Sequence, residues 1–403
     1  MTTGELALSS VRQWPFWSPN TLREVSDCIA QNGAYTVDTH PAIEEFEAAF
    51  SELHGGATAL MCGSGTAALA ATYFALGLGA GAEVLVPTWT FRATVTPLLL
   101  LGFKPVFCDV DEAGLLDLKD AAARCSRRTE AVVVTHWNGA LANPRAVEEF
   151  AATRGLAVVF DASHAHSAEW SGRSVASFGD AAAFSCGTTK AISGGMAGVV
   201  ASNNARTYER AIAFSQPKGR CLRQVRTSRV RRWGEVGFGT NFRATPVAAV
   251  LAQEHLGLLE VRHHLRARNF TALGELLREF FPEVCLPCRA PEASRGSWYK
   301  YQVTFDQRGK SRDRLVSLLQ ENGVDARIPT RPLHWFPLWN EMFGEGAVNT
   351  NVGGELPMAD RLAAEVVEFP GLQLYEDGEP ILHTWRRAFE KVAEGMRNAE
   401  GEN

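Results

Sequence analysis

Short apolar segments alternate with helical stretches between residues 57 and 204. Seven such segments are four to six residues long, and several contain β-branched residues. Segments of this kind are typical of strands that are buried on both faces of a sheet. The alternation therefore predicts an α/β fold with a doubly wound, mostly parallel seven-stranded sheet. The predicted strands are Ala57–Cys62, Glu83–Pro87, Pro105–Asp109, Ala131–His136, Leu156–Asp161, Ala181–Cys186 and Gly198–Ala201.

The hydrophobic pattern changes after about residue 246. Long, charged helical stretches and short strands replace the regular alternation, which indicates a smaller α+β domain. We expect a large domain over residues 1–246 and a small domain over residues 247–403. The elements predicted there are one or two helices within Pro246–Phe281, an exposed-edge strand at Trp298–Phe305, a helix at Asp313–Asn322, a short strand at Gly323–Ile328, and loop or tail at residues 341–356 and 397–403.

Composition and charge exclude several function classes. The chain has 403 residues, of which 46% are apolar and 21% charged, as is usual for a globular protein with a full core. A net charge of -5 gives no general attraction to nucleic acid or to acidic membranes. No apolar run is long enough to cross a bilayer. Residues 1–20 lack the basic start and apolar core of a signal peptide, so we expect a cytoplasmic protein.

The eight cysteines are scattered along the chain. Without a secretion signal, they are expected to be reduced thiols. Cys285 and Cys288 form one C-x-x-C pair, but a structural zinc site needs two more ligands and the sequence has no second pair. We therefore predict no metal site.

Polar residues that directly follow the predicted strands are the first candidates for chemistry, because ligands of such sheets bind at the carboxyl ends of strands. The string Gly63–Ala68 follows the first strand and precedes a helical run. Its glycines let the backbone approach an anion, and the helix N-terminus offers free N–H groups to a phosphate. The same string fits a dinucleotide pattern with Glu83 near the acidic position, so an NAD-dependent dehydrogenase is an alternative. An ordinary tight turn is a further interpretation.

An acidic residue, Asp161, ends the fifth predicted strand, and His164 follows three residues later. A carboxylate in a buried strand is costly unless a cation lies beside it, and a protonated pyridine nitrogen is one such cation. A ring nitrogen of His164 could reach a phenolic oxygen. The alternative is that Asp161 caps a following helix.

A lysine, Lys190, lies between the buried strand that ends near Ser185 and a glycine-rich loop. Burial lowers the pKa of an amine and makes it nucleophilic toward an aldehyde. The alternative is a lysine that extends its amine to the surface.

The segment Gly237–Arg243 follows a run of seven basic residues without an acid, Lys218–Arg232. Such a run is most often a solvated surface, although it can receive a phosphate or a carboxylate. Nucleic-acid binding is disfavoured, because the rest of the chain is acidic and few aromatic residues interleave.

Taken in order, motifs over nearly the whole chain resemble those of the DegT/DnrJ/StrS family of pyridoxal-phosphate sugar aminotransferases. The resemblance implies a fold type I transferase, like aspartate aminotransferase, with pyridoxal 5'-phosphate as cofactor. It also implies a homodimer with shared active sites. The matching segments are Ile43–Glu47, His54–Gly56, Gly63–Leu69, Val86–Phe91, Pro105–Asp111, Asp161–His166, Ser185–Lys190, Gly239–Arg243, Pro332–His334 and Pro357–Leu362.

The resemblance also implies a role for each matching site residue. Lys190 would form the Schiff base with the cofactor and then move the proton, Asp161 would hold the pyridine nitrogen protonated, and His164 would bind the ring 3-oxygen. The remaining implied cofactor contacts are the phosphate ligands Gly65, Thr66 and Ser185, the ring-face contact Phe91, and Asn241, which would reach the phosphate bound by the neighbouring subunit.

The resemblance favours transfer of an amino group from glutamate or glutamine to a keto-sugar, either free or nucleotide-linked, or to a cyclitol ketone, in the biosynthesis of amino sugars or natural products. Two departures leave the reaction open: small residues at Cys186–Thr188 replace aromatic residues, and the loop Ser193–Gly198 lacks the family's usual glutamate. A dehydratase or an aminohydroxybenzoate-type synthase of the same family is therefore the main alternative. Because Lys190 is present, the dehydratases in which a histidine replaces it are disfavoured. A cofactor-bound sensor without turnover is the least favoured alternative.

Overall fold

A computed structural model of the protein describes residues 14–31, 40–287, 290–295, 299–305, 312–336, 338–344, 355–374 and 377–401. The first nine strands of the large domain are β1 (Thr58–Cys62), β2 (Glu83–Pro87), β3 (Lys104–Cys108), β4 (Thr129–Thr135), β5 (Ala157–Asp161), β6 (Glu169–Trp170), β7 (Arg173–Ser174), β8 (Ala181–Ser185) and β9 (Gly198–Ser202). The seven predicted strands form one sheet in the order β1-β9-β8-β5-β4-β2-β3, and β6 and β7 form a small ribbon beside it. Only β9 runs antiparallel to its two neighbours in this sheet, so the predicted α/β fold with a mostly parallel seven-stranded sheet is confirmed.

The burial of the strands explains why their sequences are continuously apolar. All five residues of β2 are buried, as are the last four of β1 and β5. Because β2, β3, β4, β5 and β8 are mutually parallel, their carboxyl ends lie at one edge of the sheet. β1 runs in the same direction, since both β1 and β8 are antiparallel to β9. We call this edge the carboxyl edge; it positions the candidate site.

Helices pack around the large sheet and form much of the small domain. Many begin at a polar cap followed by proline, as at Ser18, Asn143 and Thr245, because proline fits the first helical turn. The α-helices are Pro19–Ala30, Pro41–Leu53, Gly65–Leu76, Thr96–Leu100, Leu118–Arg124, Pro144–Ala152, Ala205–Ser215, Lys218–Gln224, Ser228–Val236, Pro246–Gly257, Leu259–Phe280, Arg312–Glu321, Leu338–Phe343, Pro357–Glu365 and Glu379–Gly401. No helix in the described ranges is long and apolar enough to cross a membrane.

The small domain contains its own three-stranded sheet. Its strands are β10 (Val284–Cys285), β12 (Lys300–Phe305) and β13 (Val366–Pro370), while β11 (Ala293–Arg295) pairs with β6 of the ribbon. The predicted exposed-edge strand at 298–305 is wrong in its position, because β12 is the central strand of this sheet. Tyr301, Val303 and Phe305 point into the small-domain core, which accounts for the alternating pattern. Trp298 lies outside the described residues.

Two further predictions in the small domain are corrected. The segment Gly323–Ile328 forms a single bridge between Arg327 and Glu368 and no strand, because only one residue of it pairs. The expected C-terminal tail is helical as far as Gly401, and the expected loop at 341–356 begins inside a helix. The helices predicted within Pro246–Phe281 and at Asp313–Asn322 are present to within one residue.

The described residues form two hydrophobic cores, one around the large sheet and one around the small sheet. Ala248, Ala249 and Ala252 of the helix that begins at Pro246 belong to the larger core. The division of the chain between residues 246 and 247 stays a prediction, and this packing favours a boundary after that helix.

Candidate active site

The carboxyl edge brings most of the predicted site residues together. Asp161 is the last residue of β5 and Ser185 the last residue of β8, its parallel neighbour. Lys190 follows in the loop between β8 and β9, and Gly65 begins the helix that follows β1. The carboxyl edge therefore brings together an amine, a carboxylate and a helix N-terminus.

Asp161 is 5% exposed and accepts two hydrogen bonds. The Thr94 hydroxyl donates to its Oδ2 at 2.7 Å, and the Ser163 backbone N–H donates to its Oδ1 at 3.1 Å. Residues 162–168 form turns and no helix, so Asp161 has no helix to cap. Since burying a carboxylate is unfavourable without a charge partner, this position strongly favours a cation placed against it.

A chain of threonine hydroxyls holds the donor to Asp161 in place. Thr94 Oγ1 lies 2.9 Å from Thr90 Oγ1, which in turn lies 2.9 Å from Thr135 Oγ1. The Tyr73 hydroxyl donates to the Thr94 carbonyl oxygen at 2.8 Å. Thr94 was not among the residues predicted from the sequence. The two threonines that follow β2, Thr90 and Thr94, are the sequence feature that could have indicated a hydrogen-bond donor to Asp161.

The amine of Lys190 faces inward. Its Nζ lies 3.9 Å from the centre of the Tyr299 ring. Burial lowers the pKa of this amine from 10.5 to about 7; Asp161 opposes the fall and Lys300 adds to it. A lysine extended to the surface does not fit this geometry, whereas an uncharged amine near neutral pH is a competent nucleophile.

His164 presents one ring nitrogen as a donor. The Asn138 backbone N–H donates to its Nδ1 at 3.3 Å. Burial, together with the charges of Lys190 and Lys300, holds the pKa of His164 well below its usual value. The neutral ring therefore carries its proton on Nε2. The ring stacks on Tyr299, with 4.1 Å between centroids. Sequence reasoning missed both Asn138 and Tyr299, and no motif marks either.

The loop after β1 forms a narrow cradle against the end of β8. The Ser64 hydroxyl accepts a hydrogen bond from the Ala67 N–H at 3.1 Å and caps the helix. A Cβ on Gly65 would lie 2.7 Å from Ser185 Cβ, so only glycine allows this approach. Thr66, in the first turn, is exposed. The free N–H groups of this helix N-terminus suit a phosphate.

The two remaining predicted residues lie at the surface of the chain. Phe91 follows β2 and is 45% exposed, with the Arg92 guanidinium 4.6 Å from its ring centre. Asn241 is exposed and has a φ of +51°. Its neighbour Phe242 accepts a hydrogen bond from the Gly63 N–H at 2.7 Å. Asn241 therefore belongs to a segment that lies beside the phosphate cradle.

These residues fit pyridoxal phosphate better than a dinucleotide. The buried carboxylate, the amine, the neutral imidazole and the glycine-lined helix N-terminus match a ring nitrogen, an aldehyde, a phenolic oxygen and a phosphate. The dehydrogenase alternative required Glu83, but Glu83 begins β2 and so lies at the opposite edge of the sheet. There it forms an ion pair with Arg128 and accepts a hydrogen bond from Ser126.

Known proteins are similar to this chain in sequence and in fold. One relative is L-glutamine:2-deoxy-scyllo-inosose aminotransferase of Streptomyces paromomycinus. It is 32% identical over 281 residues, which cover 66% of this chain and 66% of that protein. GDP-perosamine synthase of Escherichia coli O157:H7 is 26% identical, covering 77% of this chain and 82% of that protein. The crystal structure of 3-amino-5-hydroxybenzoic acid synthase superposes with a TM-score of 0.82 at 25% identity, covering 96% of this chain and 99% of that one.

A family assignment follows from a match that spans most of the chain. Residues 19–379 match the DegT/DnrJ/EryC1/StrS aminotransferase family. The fold, the relatives and the site geometry agree with that match, and the expected enzyme class is confirmed. The chain belongs to the DegT/DnrJ/EryC1/StrS aminotransferase family, and its cofactor is pyridoxal phosphate.

Proposed function

We propose that the protein transfers an amino group from glutamate or glutamine to a keto-sugar or a cyclitol ketone. The observation that supports it most directly is the inward-facing Lys190 amine, with a pKa of about 7, beside the buried Asp161. Both relatives quoted above support the substrate class, since one is named for a cyclitol ketone and the other for an amino sugar.

Pyridoxal phosphate, when bound, supplies an aldehyde carbon and an electron-withdrawing ring. In the proposed roles, Asp161 keeps the ring nitrogen protonated, and Thr94 and Ser163 hold that carboxylate in position. His164 would donate its Nε2–H to the ring oxygen, because the Asn138 N–H occupies Nδ1. Lys190 would hold the cofactor covalently and would then accept and return the proton of the substrate carbon.

The phosphate would bind at the cradle formed by Gly65, Thr66 and Ser185. The close approach of Gly65 to Ser185 brings backbone N–H groups and a hydroxyl together, and the helix dipole adds a favourable partial charge. Phe91, exposed after β2, would cover one face of the ring.

We also propose a homodimer with shared active sites, in which Asn241 binds the cofactor phosphate of the partner. Asn241 is exposed, and its side chain has no hydrogen bond within the described ranges. Val236 and Phe238 nearby are 93% and 45% exposed, as expected for a surface that another subunit covers. The predicted cytoplasmic location stays a prediction.

Mixing two inactive variants tests the shared site. Lys190→Ala and Asn241→Ala subunits, each impaired alone, should regain activity when allowed to exchange, because one of the two sites in a mixed dimer would have neither defect. If Asn241 served its own chain, every site in the mixed dimer would have one defect and no activity would return. A monomer in solution would also contradict the proposal.

The reaction itself is tested by absorbance. The cofactor-loaded protein should be yellow, and glutamate or glutamine should bleach the band into the near ultraviolet as the amino group is taken up. A keto substrate should then restore the band. A band that neither donor changes would contradict aminotransfer and would favour the dehydratase or synthase alternative. The structural similarity to 3-amino-5-hydroxybenzoic acid synthase supports that alternative.

A further inference from the structure

Three buried threonine hydroxyls form a continuous row that ends at Asp161. Thr135 is the last residue of β4, and its Oγ1 lies 2.9 Å from Thr90 Oγ1. Thr90 Oγ1 lies 2.9 Å from Thr94 Oγ1, which lies 2.7 Å from Asp161 Oδ2. All four side chains are buried, so bulk water does not compete for these hydrogen bonds. We call Thr135, Thr90 and Thr94 the threonine row.

The direction of the hydrogen bonds in the threonine row follows from the number of protons. A threonine hydroxyl carries one proton, and an ionised carboxylate can only accept. Thr94 therefore gives its proton to Asp161 and must accept the proton of Thr90. Since Thr90 then has no proton left, Thr135 is the donor to Thr90. All three hydroxyls thus point toward Asp161.

Donors that all point one way act on the carboxylate as a unit. Each hydrogen bond polarises the next hydroxyl and makes it a stronger donor, and this effect is largest where water is excluded. An ionised acceptor gains more from a strong donor than a neutral one does. The threonine row therefore stabilises the negative charge of Asp161, although in the described structure Thr94 is the member that binds the carboxylate directly.

Backbone contacts hold Thr94 in place independently of the other two threonines. The Tyr73 hydroxyl donates to the Thr94 carbonyl oxygen at 2.8 Å, and the Thr94 N–H donates to the Phe91 carbonyl oxygen at 2.9 Å. Loss of the Thr90 hydroxyl should therefore change the strength of the hydrogen bond between Thr94 and Asp161 more than its position.

We propose that Thr90 and Thr135 are positioning residues for the proton that Asp161 shares with the ring nitrogen of the cofactor. They act through Thr94. Because they stabilise the ionised carboxylate, they keep this proton on the nitrogen instead of on Asp161, and so they maintain the electron-withdrawing power of the ring. The inference rests on the proposed role of Asp161 and extends it to two residues that do not hydrogen-bond that carboxylate in the described structure.

The ring nitrogen itself reports the position of the proton. The protein is loaded with pyridoxal phosphate that carries ¹⁵N in the ring, and the ¹⁵N chemical shift is measured by solid-state NMR. Thr90→Val and Thr135→Val each remove one hydroxyl and keep a side chain of similar shape, whereas Thr90→Ser retains the hydroxyl. Thr72→Val is the matched control, because Thr72 is fully buried and its hydroxyl has no hydrogen-bond partner in the described part of the chain.

The wild type should show a protonated ring nitrogen. Thr90→Val should move the chemical shift toward the value of a neutral pyridine. Thr135→Val should move it in the same direction but by less, because its hydroxyl is farther from Asp161. Thr90→Ser and Thr72→Val should leave it unchanged. The rate of bleaching by glutamine should fall about two- to tenfold in Thr90→Val and less than about twofold in Thr72→Val.

Equal chemical shifts in Thr90→Val and Thr72→Val, or a neutral ring nitrogen in the wild type, would overturn the proposal. A change in Thr90→Ser as large as that in Thr90→Val would also overturn it, because packing and not the hydroxyl would then be the cause. Thr135→Val leaves every remaining hydroxyl proton of the threonine row with an acceptor, so it decides the question if Thr90→Val does not fold.

The same samples separate this inference from the proposed function. Bleaching by glutamine with chemical shifts that no threonine variant changes would reject the role of the threonine row alone. A ring nitrogen that responds to Thr90→Val, in protein that neither glutamate nor glutamine bleaches, would support the threonine row and reject the proposed aminotransfer.

Discussion

The ionisation of Lys190 can be measured in protein freed of its cofactor. Its pKa is lowered from 10.5 to about 7, mainly by burial. A change of this size corresponds to about 5 kcal/mol against the charged form. At pH 7.5 about three quarters of the Lys190 amines would be uncharged, compared with about one in a thousand for an ordinary lysine.

Competitive acetylation over a range of pH, followed by chymotryptic digestion and mass spectrometry, reports this ionisation directly. The Lys190 peptide should gain reactivity with a midpoint near pH 7. Asp161→Asn should lower the midpoint, because Asp161 raises the pKa of Lys190, and Lys300→Gln should raise it, because Lys300 lowers that pKa. Lys104, exposed at the start of β3, is the control in the same digest. Two shifts of opposite sign cannot arise from general unfolding.

The same ionisation makes stability depend on pH in a defined direction. In the cofactor-free protein the folded-state pKa lies below the unfolded-state value, so the unfolded chain binds more protons between about pH 7 and 10.5. The contribution of Lys190 to stability should therefore rise with pH across this window, and Lys190→Met should remove that rise. A labelling midpoint near pH 10, or equal pH slopes in the wild type and Lys190→Met, would refute the burial argument.

Three further changes test the site residues. Lys190→Ala should abolish covalent attachment of the cofactor and leave the fold intact, and borohydride reduction with peptide mapping of the wild type should label the Lys190 peptide and no other. Asp161→Asn should retain the cofactor but lose about 3–5 kcal/mol of transition-state stabilisation in kcat/KM, because a neutral amide cannot offset a protonated ring nitrogen; near-normal turnover would leave Asp161 a structural role only. Gly65→Ala should weaken cofactor retention on dialysis, because its Cβ would lie 2.7 Å from Ser185 Cβ, whereas Gly257→Ala, which meets nothing within 4 Å, should not.

The large sheet could be predicted from sequence because its strands are buried on both faces. A run such as Glu83–Pro87 has no polar face that could suggest another structure. The small-domain strand Lys300–Phe305 was placed wrongly because alternation shows only that two faces differ. Lys300 and Gln302 lie on the other face of the strand, where they bind Glu368 and line a cavity of about 580 Å³, so that face is only partly exposed to solvent. The alternating sequence pattern is the same whether the polar face of the strand lines a cavity or contacts solvent.

The candidate site was predictable where it follows strand ends. Asp161 and Ser185 end parallel neighbours, so topology alone brings them together. Asn138 was not predictable, because its contribution comes from a left-handed backbone position whose N–H donates to His164 Nδ1. Thr94 likewise depends on the path of the chain after β2, which returns its hydroxyl to Asp161.

Tyr299 gives a structural account of one departure from the family pattern. Small residues replace the family's aromatic residues at Cys186–Thr188, just before Lys190. The Tyr299 ring, from the small domain, lies over the Lys190 amine, and its hydroxyl is 2.7 Å from the Thr189 hydroxyl. The aromatic surface beside the lysine thus comes from a different part of the chain. Burial is the main cause of the lowered Lys190 pKa, and Tyr299 supplies part of that burial. The packing of the small domain against the large one therefore helps to set the reactivity of the amine.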